Sequence, residues 1–461
     1  MKIAVVGMGY VGIPSAALFA DVDGVTVTGV QRRSKRSGWK IDYLNQGKCP
    51  IGGDEPGLAE RIKKVVSKGT FRVTDDTQVY SEADAILIDV QTPVDSDHTP
   101  RYESLREVCK EIGERMKPGV LIGIESTVAP GTTEYIAKPI LEETSDLKAG
   151  QDFNLVYSYE RVMVGRLLHN LQYMPRIVGG YTPECAERGA ELYKKITKTE
   201  VYTTDCITAE IAKVTENAYR DVNIAFANEI ALICESLGAN IHEVRRYVNS
   251  LPYDPTDPAK NPYRMMMTPG AGVGGHCLPK DSWLLKYGVD NYGKTKTEAH
   301  VITQSRRVNE YMPTHMMKLI QESLKENNIE LKEAKITILG YAFLENSDDT
   351  RNTPAHPLYK ALEGICRTLI IHDPYVIEEE GINITQDLTK ALQDSDCIAI
   401  VTKHREYTNF NLDELKKTMK TPIIIDGRNI FNPTTAKEHG FTFRGVGIGT
   451  TSRRLNQSSQ Q

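Results

Sequence analysis

No surplus of charge runs through this sequence: 56 lysines and arginines stand against 61 aspartates and glutamates, leaving −5 over 461 residues. The balance, spread along the chain, excludes a nucleic-acid footprint or a polybasic membrane anchor, so anionic ligands need local sites. Also missing is any uncharged apolar run near the ~18 to 20 residues of a spanning helix, which excludes an integral membrane protein of that kind. The eight cysteines lie singly, without CxxC spacing, so neither a disulfide framework nor a zinc ribbon is expected, and no metal. Reduced thiols and a cytoplasmic location follow from that usage. The opening MKIAVVGMGYVG lacks the basic region, apolar stretch and cleavage site of a signal peptide, and reads as a strand.

The length is about three times the ~150-residue soft prior for a domain, so two or three cores are expected. KIAVV (residues 2–6) enters Gly7-Met8-Gly9-Tyr10-Val11-Gly12, then a helical stretch to Ala20 and a strand at 25–30, which is a βαβ opening. Apolar strands at 86–88, 121–124 and 155–157 alternate with amphipathic segments such as 102–116, predicting a parallel doubly wound sheet. Residues 207–237 contain neither Gly nor Pro and carry apolar residues at helical spacing, predicting one long helix that stops at Gly238. A Pro-, Met- and Gly-rich loop (251–275) and more helix to about 324 follow. The βαβ rhythm restarts at Lys335, with strands at 368–372, 397–402 and 422–426. The fold class is therefore α/β, two Rossmann-like domains joined by a helical middle. The expected boundaries are 1–205, 206–325 and 326–449, with a polar, disordered tail at 450–461.

GMGYVG between a strand and a helix lets the backbone approach a pyrophosphate at a helix N-terminus. At the end of the second strand, where an acid would hold the ribose of NAD, stand Gln31-Arg32-Arg33. These arginines either meet the 2′-phosphate of NADP or form a solvated basic turn. The second motif is Gly272-Val273-Gly274-Gly275-His276-Cys277-Leu278-Pro279-Lys280-Asp281. Glycines upstream let a ligand come close to the Cys277 thiol, and Lys280 favours its thiolate, so Cys277 is a candidate nucleophile. His276 is a candidate base or a structural residue. Asp281, four residues on, can meet the cysteine at a turn or helix start.

Together these segments, with LNQGKCP, DEPGL, ESTVAPGTT and DDTRNTP in order, resemble the UDP-glucose/GDP-mannose dehydrogenase family over nearly the whole chain. Tyr159-Glu160-Arg161-Val162 and Pro175-Arg176-Ile177-Val178 look most like the branch acting on UDP-N-acetylhexosamines. The resemblance implies a four-electron oxidation of a primary alcohol at sugar position six, with Cys277 passing through a thiohemiacetal and a thioester to a uronic acid for surface polysaccharide or glycan. It implies catalytic roles for Cys277, Lys213, Asn217, Asp281, Glu160 and Thr127. Cofactor contacts are expected from Gly7, Gly9, Tyr10, Val11, Gly12, Gln91, Thr92 and Thr127, with Gln31 and Arg32 at the ribose. Substrate contacts are expected from Glu160, Arg161, Lys213, Asn217, Arg264, Gly274, Lys280, Arg351 and Arg428. The family points to NAD and the Gln31-Arg32-Arg33 run to NADP. A homodimer through the long helix, a UDP-sugar substrate, and neither nucleic acid nor membrane complete the expected partners. Three departures stand out: Gln31 for the acid, Leu344 where many relatives carry Lys, and Val164 where Pro is common. UDP-glucose or GDP-mannose is the alternative substrate. A two-electron 3-hydroxyacid dehydrogenase, which needs no cysteine, and a non-catalytic cofactor-binding regulator are the alternatives of other classes.

Overall fold

The computed structural model describes residues 1–35, 37–52, 55–250 and 265–449. The expected tail at 450–461 and residues 251–264 of the expected 251–275 loop, Arg264 among them, lie outside them. Two compact units emerge, residues 1–216 with 283–298 and residues 217–282 with 299–461.

The first unit is built on β1 (Lys2–Val6), β2 (Thr26–Val30), β3 (Phe71–Thr74), β4 (Ala85–Ile88), β5 (Leu121–Ile124), β6 (Asn154–Tyr157), β7 (Arg176–Gly180) and β8 (Val201–Asp205). They lie in the order 3-2-1-4-5-6-7-8. Alternation along β1 shows why the sheet is wound on both faces. Ile3 and Val5 join one apolar cluster with Ile13, Phe19 and Ile62, whereas Ala4 and Val6 join another with Leu105, Ile112 and Ile122. The expectation of a purely parallel sheet is corrected in one place: β7 pairs antiparallel with β6, and β8 follows β7 in parallel. The short helix Leu167–Tyr173 links β6 to β7, and such a hairpin-like return needs no crossover.

The second unit carries β9 (Lys335–Leu339), β10 (Thr368–His372), β11 (Ile384–Thr385), β12 (Cys397–Ile400), β13 (Ile423–Asp426) and β14 (Thr442–Gly445), all parallel, in the order 11-10-9-12-13-14. Ile336 and Ile338 pack into one cluster and Leu339 into another, so this sheet too is covered on both faces.

The long helix runs Cys206–Leu237. Gly238, at φ 74°, ends it: the Ala239 amide donates to the Cys234 carbonyl at 2.8 Å and the Gly238 amide to Glu235 at 3.3 Å, the reverse turn that satisfies the last carbonyls. Near the start of this helix, Glu210 is fully buried. Its carboxylate accepts from the Gly131 amide at 2.6 Å, the Thr133 amide at 2.8 Å and the Thr133 hydroxyl at 2.7 Å, capping the helical stretch from Thr133 to Ser145. Burial nevertheless outweighs these donors and pushes its pKa up to about 7. Because the folded value is raised, the proton's stabilisation is complete below about pH 4 and is lost as pH rises through about 7. The unfolding free energy of wild type, measured against Glu210→Gln, should therefore fall by about 2 to 3 kcal/mol between pH 5 and 8. Parallel curves for the two proteins would contradict the assignment.

Candidate active site

The glycine turn after β1 is shaped by what a side chain would strike. Gly7 sits at φ 102°, and a Cβ on it would run into the Asp89 carbonyl. A Cβ on Gly12 would meet the Gly7 carbonyl, while one on Gly9 would meet nothing within 4 Å. Gly9 thus opens the turn outward in front of the helix Gly12–Ala20, where Val11 stands at the N-cap and Tyr10 is exposed. A helix start with room for a close approach fits the diphosphate of a dinucleotide. At the ends of β4 and β5, Thr92 is buried and its hydroxyl donates to the Thr127 carbonyl at 2.6 Å. Ser126 donates to the Val90 carbonyl at 2.7 Å, and Gln91 between them is exposed.

The ribose end is occupied by the chain's own contacts. Gln31 Oε1 accepts from the Met8 amide at 3.1 Å and its Nε2 donates to Ser37 Oγ at 3.0 Å. Arg32 is paired with Glu107 at 2.5 Å and Arg33 with Asp75 at 2.9 Å. The side chains expected to reach a 2′-phosphate are therefore turned onto carboxylates, although such exposed pairs are worth only about 0 to 1 kcal/mol.

Lys213 and Glu160 meet in the first unit. The Lys213 ammonium donates to the Glu160 carbonyl at 2.7 Å and lies 3.6 Å from its carboxylate, with both side chains largely buried. The Glu160 carboxylate also takes the Val162 amide at 2.5 Å. Arg161 is committed elsewhere, in an ion pair with Glu216 that also gathers the Tyr159 hydroxyl at 2.8 Å from Glu216. Asn217 follows Lys213 one turn later on the same helix.

Cys277 immediately precedes the helix Leu278–Tyr292 and is half-buried. Its carbonyl accepts from the Lys280 and Asp281 amides at 3.0 and 2.9 Å, so the thiol residue and the aspartate share the first turn. The Asp281 carboxylate is fully buried between the Asn217 amide at 2.6 Å and the Lys280 ammonium at 3.1 Å. Behind it lies a group the sequence reading did not single out. Arg306 pairs with Asp221 at 2.6 Å and reaches the Leu278 carbonyl at 3.4 Å, while Asn309 donates to Asp221 at 2.8 Å. The i, i+4 step from Asn217 to Asp221 and the i, i+3 step from Arg306 to Asn309 were the available signals. His276 has its pKa lowered to about 4, first by burial and then by Lys280 and Arg351. At neutral pH its imidazole is therefore uncharged.

The loop before the cysteine is pressed against the loop after β9. A Cβ on Gly272 would lie 2.7 Å from Pro354, on Gly274 2.5 Å from Phe343, and on Gly275 2.9 Å from the Phe343 ring. Gly275 donates to the Arg351 carbonyl at 2.8 Å, and Asn352 Nδ2 donates to the Gly275 carbonyl at 3.0 Å. The Arg351 guanidinium is folded back on Asp349 through Nε at 2.8 Å. Arg428 donates through Nε to the Val401 carbonyl at 2.5 Å and lies against Gly270; burial lowers its pKa. Leu344 is partly exposed.

Similarity to known proteins agrees with this arrangement. Residues 1–197 match the NAD binding domain of the UDP-glucose/GDP-mannose dehydrogenase family, 207–311 its central domain and 337–433 its UDP binding domain. The chain is 38% identical over 449 residues to a UDP-N-acetyl-D-mannosamine dehydrogenase from Pyrococcus horikoshii, covering 97% of this chain and 100% of that protein. A crystal structure of NDP-N-acetyl-D-galactosaminuronic acid dehydrogenase from Methanosarcina mazei Go1 superposes with a TM-score of 0.87 at 41% identity, covering 97% of this chain and 95% of that one. The native structure of a UDP-N-acetyl-mannosamine dehydrogenase from Staphylococcus aureus gives a TM-score of 0.79 at 31% identity, covering 97% of this chain and 98% of that one. With an open glycine turn, a thiol at a helix start and matches that run from one end of the fold to the other, the chain belongs to the UDP-glucose/GDP-mannose dehydrogenase family of NAD-dependent oxidoreductases.

Proposed function

We propose that this enzyme is a nucleotide-sugar 6-dehydrogenase whose substrate is a UDP-N-acetylhexosamine, oxidised twice to the uronic acid. The observation that carries the reading is the thiol at the first turn of the Leu278–Tyr292 helix, with Asp281 held one turn on by Asn217 and Lys280. A simple alcohol dehydrogenase has no use for such a nucleophile. The relatives' names supply the sugar class, and they divide between N-acetylmannosamine and N-acetylgalactosamine derivatives.

NAD, when bound, accepts a hydride from the substrate carbon at each of the two oxidations. The chain's own residues supply the rest. After the first oxidation the Cys277 thiolate adds to the aldehyde carbon, giving a tetrahedral hemithioacetal that still carries a transferable hydrogen. The second oxidation leaves a thioester, and water adds to it, expelling the thiolate and freeing the carboxylate. Lys213 and Asn217 offer N–H donors to the developing oxyanion. Glu160, next to the Lys213 ammonium, and Thr127 hold the water. Asp281 fixes the Asn217 amide and the cysteine turn. Lys280, Arg161, Gly274, Arg351 and Arg428 serve the nucleotide sugar; for Arg161 and Arg351 this means exchanging Glu216 and Asp349 for a phosphate, as a guanidinium fork readily does.

The enzyme acts as a homodimer in this reading. Ile211, Tyr219, Phe226, Ile233 and Leu237 are 42%, 71%, 55%, 46% and 74% exposed on one helix. At about 100° per residue they fall within a quarter of its circumference. Such an apolar stripe is matched by the same stripe on a second copy in an isologous contact. Phe226→Asp should convert the dimer to monomer in sedimentation; an unchanged mass would refute the contact.

NADH formation with UDP-N-acetylhexosamines, and not with UDP-glucose or GDP-mannose, is the expected outcome of a substrate panel; the reverse preference would sink the sugar assignment. Cys277→Ser should lower overall turnover by about 10³-fold because an alkoxide is scarce where a thiolate is not, and wild type should give a substrate adduct on the Cys277 peptide by mass spectrometry. Lys213→Ala should lower kcat by about 10²- to 10³-fold. If only KM rises, Lys213 binds substrate and does not stabilise the oxyanion. Paired Asp75→Ala and Glu107→Ala changes, which release Arg33 and Arg32, should raise kcat/KM for NADP relative to NAD severalfold. A constant ratio would mean that the arginines do not reach the ribose.

A further inference from the structure

Two carboxylic acids lie side by side in the first unit, immediately after β4 and β5. Asp89 continues β4, its amide donating to the Val6 carbonyl at 2.8 Å, and Glu125 continues β5, its amide donating to Ile88 at 3.0 Å. They extend the parallel register in which Ile88 pairs with Ile124, so the two acids stand side by side on one face of the sheet. The Glu125 side chain is fully buried and Arg176 nearly so, and the two form an ion pair through Glu125 Oε1. Arg176 is anchored in turn by Ser158, at 2.8 Å to its hydroxyl and 2.9 Å to its carbonyl, and stacks over the Tyr193 ring at 4.2 Å. Asp89 Oδ2, Glu125 Oε2 and the Tyr193 hydroxyl are buried there without a hydrogen-bond partner. Two ionised carboxylates side by side away from water repel, and a single proton held by the pair removes that repulsion.

We propose that Asp89 and Glu125 share a single proton, with Asp89 as the donor, and that this bond makes Asp89 a positioning residue for the NAD site. Glu125 keeps the negative charge because Arg176 neutralises it. Asp89 has no cation of its own, so the proton resides there. The groups facing the pair are Arg176, Glu160 and Tyr193. Arg176 favours the loss of the proton, whereas Glu160, Glu125 and burial oppose it, and the Asp89 acid is raised well above its ordinary range.

The position gives the bond its consequence. Asp89 precedes Val90, Gln91 and Thr92; Glu125 precedes Ser126 and Thr127. The two loops are stitched by the Ser126–Val90 and Thr92–Thr127 hydrogen bonds, and the carboxylic acid bond is the third stitch, at their root. The carbonyl of the same Asp89 is the atom that forbids a Cβ on Gly7, so this one residue borders both the glycine turn and the loop carrying Gln91 and Thr92. Losing the proton would place two like charges against a single guanidinium and part the loops.

The test separates an amide, which can still donate, from an apolar side chain, which cannot. Wild type at neutral pH should show the infrared carbonyl band of a protonated carboxylic acid that is missing from Asp89→Asn. KM for NAD in wild type should rise on the alkaline side as the proton is lost, whereas in Asp89→Asn it should stay flat over the same range. Asp89→Leu should raise KM for NAD about tenfold, with a smaller change in kcat. The proposal is overturned if the difference spectrum lacks the band, or if Asp89→Asn keeps the wild-type alkaline limb. Equal effects of Asn and Leu would likewise overturn it. Should the leucine variant fail to fold, the spectrum and pH profile of the asparagine variant still decide.

Discussion

The chemistry of the thiol depends on a contact that only a backbone without side chains can make. Gly272, Gly274 and Gly275 lie so close to Pro354 and Phe343 that a methyl group on any of them would have to displace a ring or a backbone. The closeness lets the Gly275 amide and carbonyl bond directly to the 351–352 segment. Cys277 then enters its helix two residues later from a fixed point. Its helix start is fixed a second time from behind, where Arg306 holds the Leu278 carbonyl and Asp221 together. In the proposed reaction, a thiol whose backbone is anchored on both sides loses little further entropy, which is how positioning lowers a barrier.

The two sheets repeat one strand order, 3-2-1-4-5-6, yet their first turns have opposite chemistry. After β1 the Met8 amide is taken by the uncharged Gln31 side chain, a Cβ on Gly9 would meet open space, and a helix begins at Gly12. After β9 the Tyr341 and Ala342 amides are taken by the Asp373 carboxylate at 2.7 and 2.9 Å, and His404 supports that carboxylate at 3.1 Å. The next helix starts only at Ala355. A carboxylate just after β10, where Gln31 stands just after β2, thus takes two amides of this turn and leaves fewer for an anion. The second sheet keeps the Rossmann layout and has given up the dinucleotide cradle, leaving its 343–354 loop free to brace the cysteine.

The parts of this design that are local in sequence could be read from it. The glycine fingerprint, the helix stop at Gly238 and the cysteine among glycines each announce themselves within ten residues, and the strand alternation fixes both sheets. Spacing after Cys277 pointed to Asp281, whereas only resemblance to a family supplied Lys213 and Asn217. What stayed hidden is long-range pairing. Nothing near Arg32 shows that Glu107, 75 residues on, will hold it, and the basic run therefore read either as a phosphate site or as a solvated turn. Asp89 and Glu125 each end an apolar strand and look like ordinary loop acids until the sheet sets β4 beside β5. The reversal of β7 was equally invisible, because a strand's apolar pattern carries no direction.

Several buried acids of this protein differ in how their charge is met. Asp281 and Asp221 each have a cation, Lys280 and Arg306, plus an amide from Asn217 or Asn309. Glu210 and Asp426 have only hydrogen-bond donors, and burial raises the pKa of both. A carboxylate met by a cation and an amide together forms an oriented set of charges and dipoles that acts without reorganising. That is the arrangement at the turn that carries Cys277, whereas donors alone meet the acids at a helix start and a strand end, where the task is to hold the backbone.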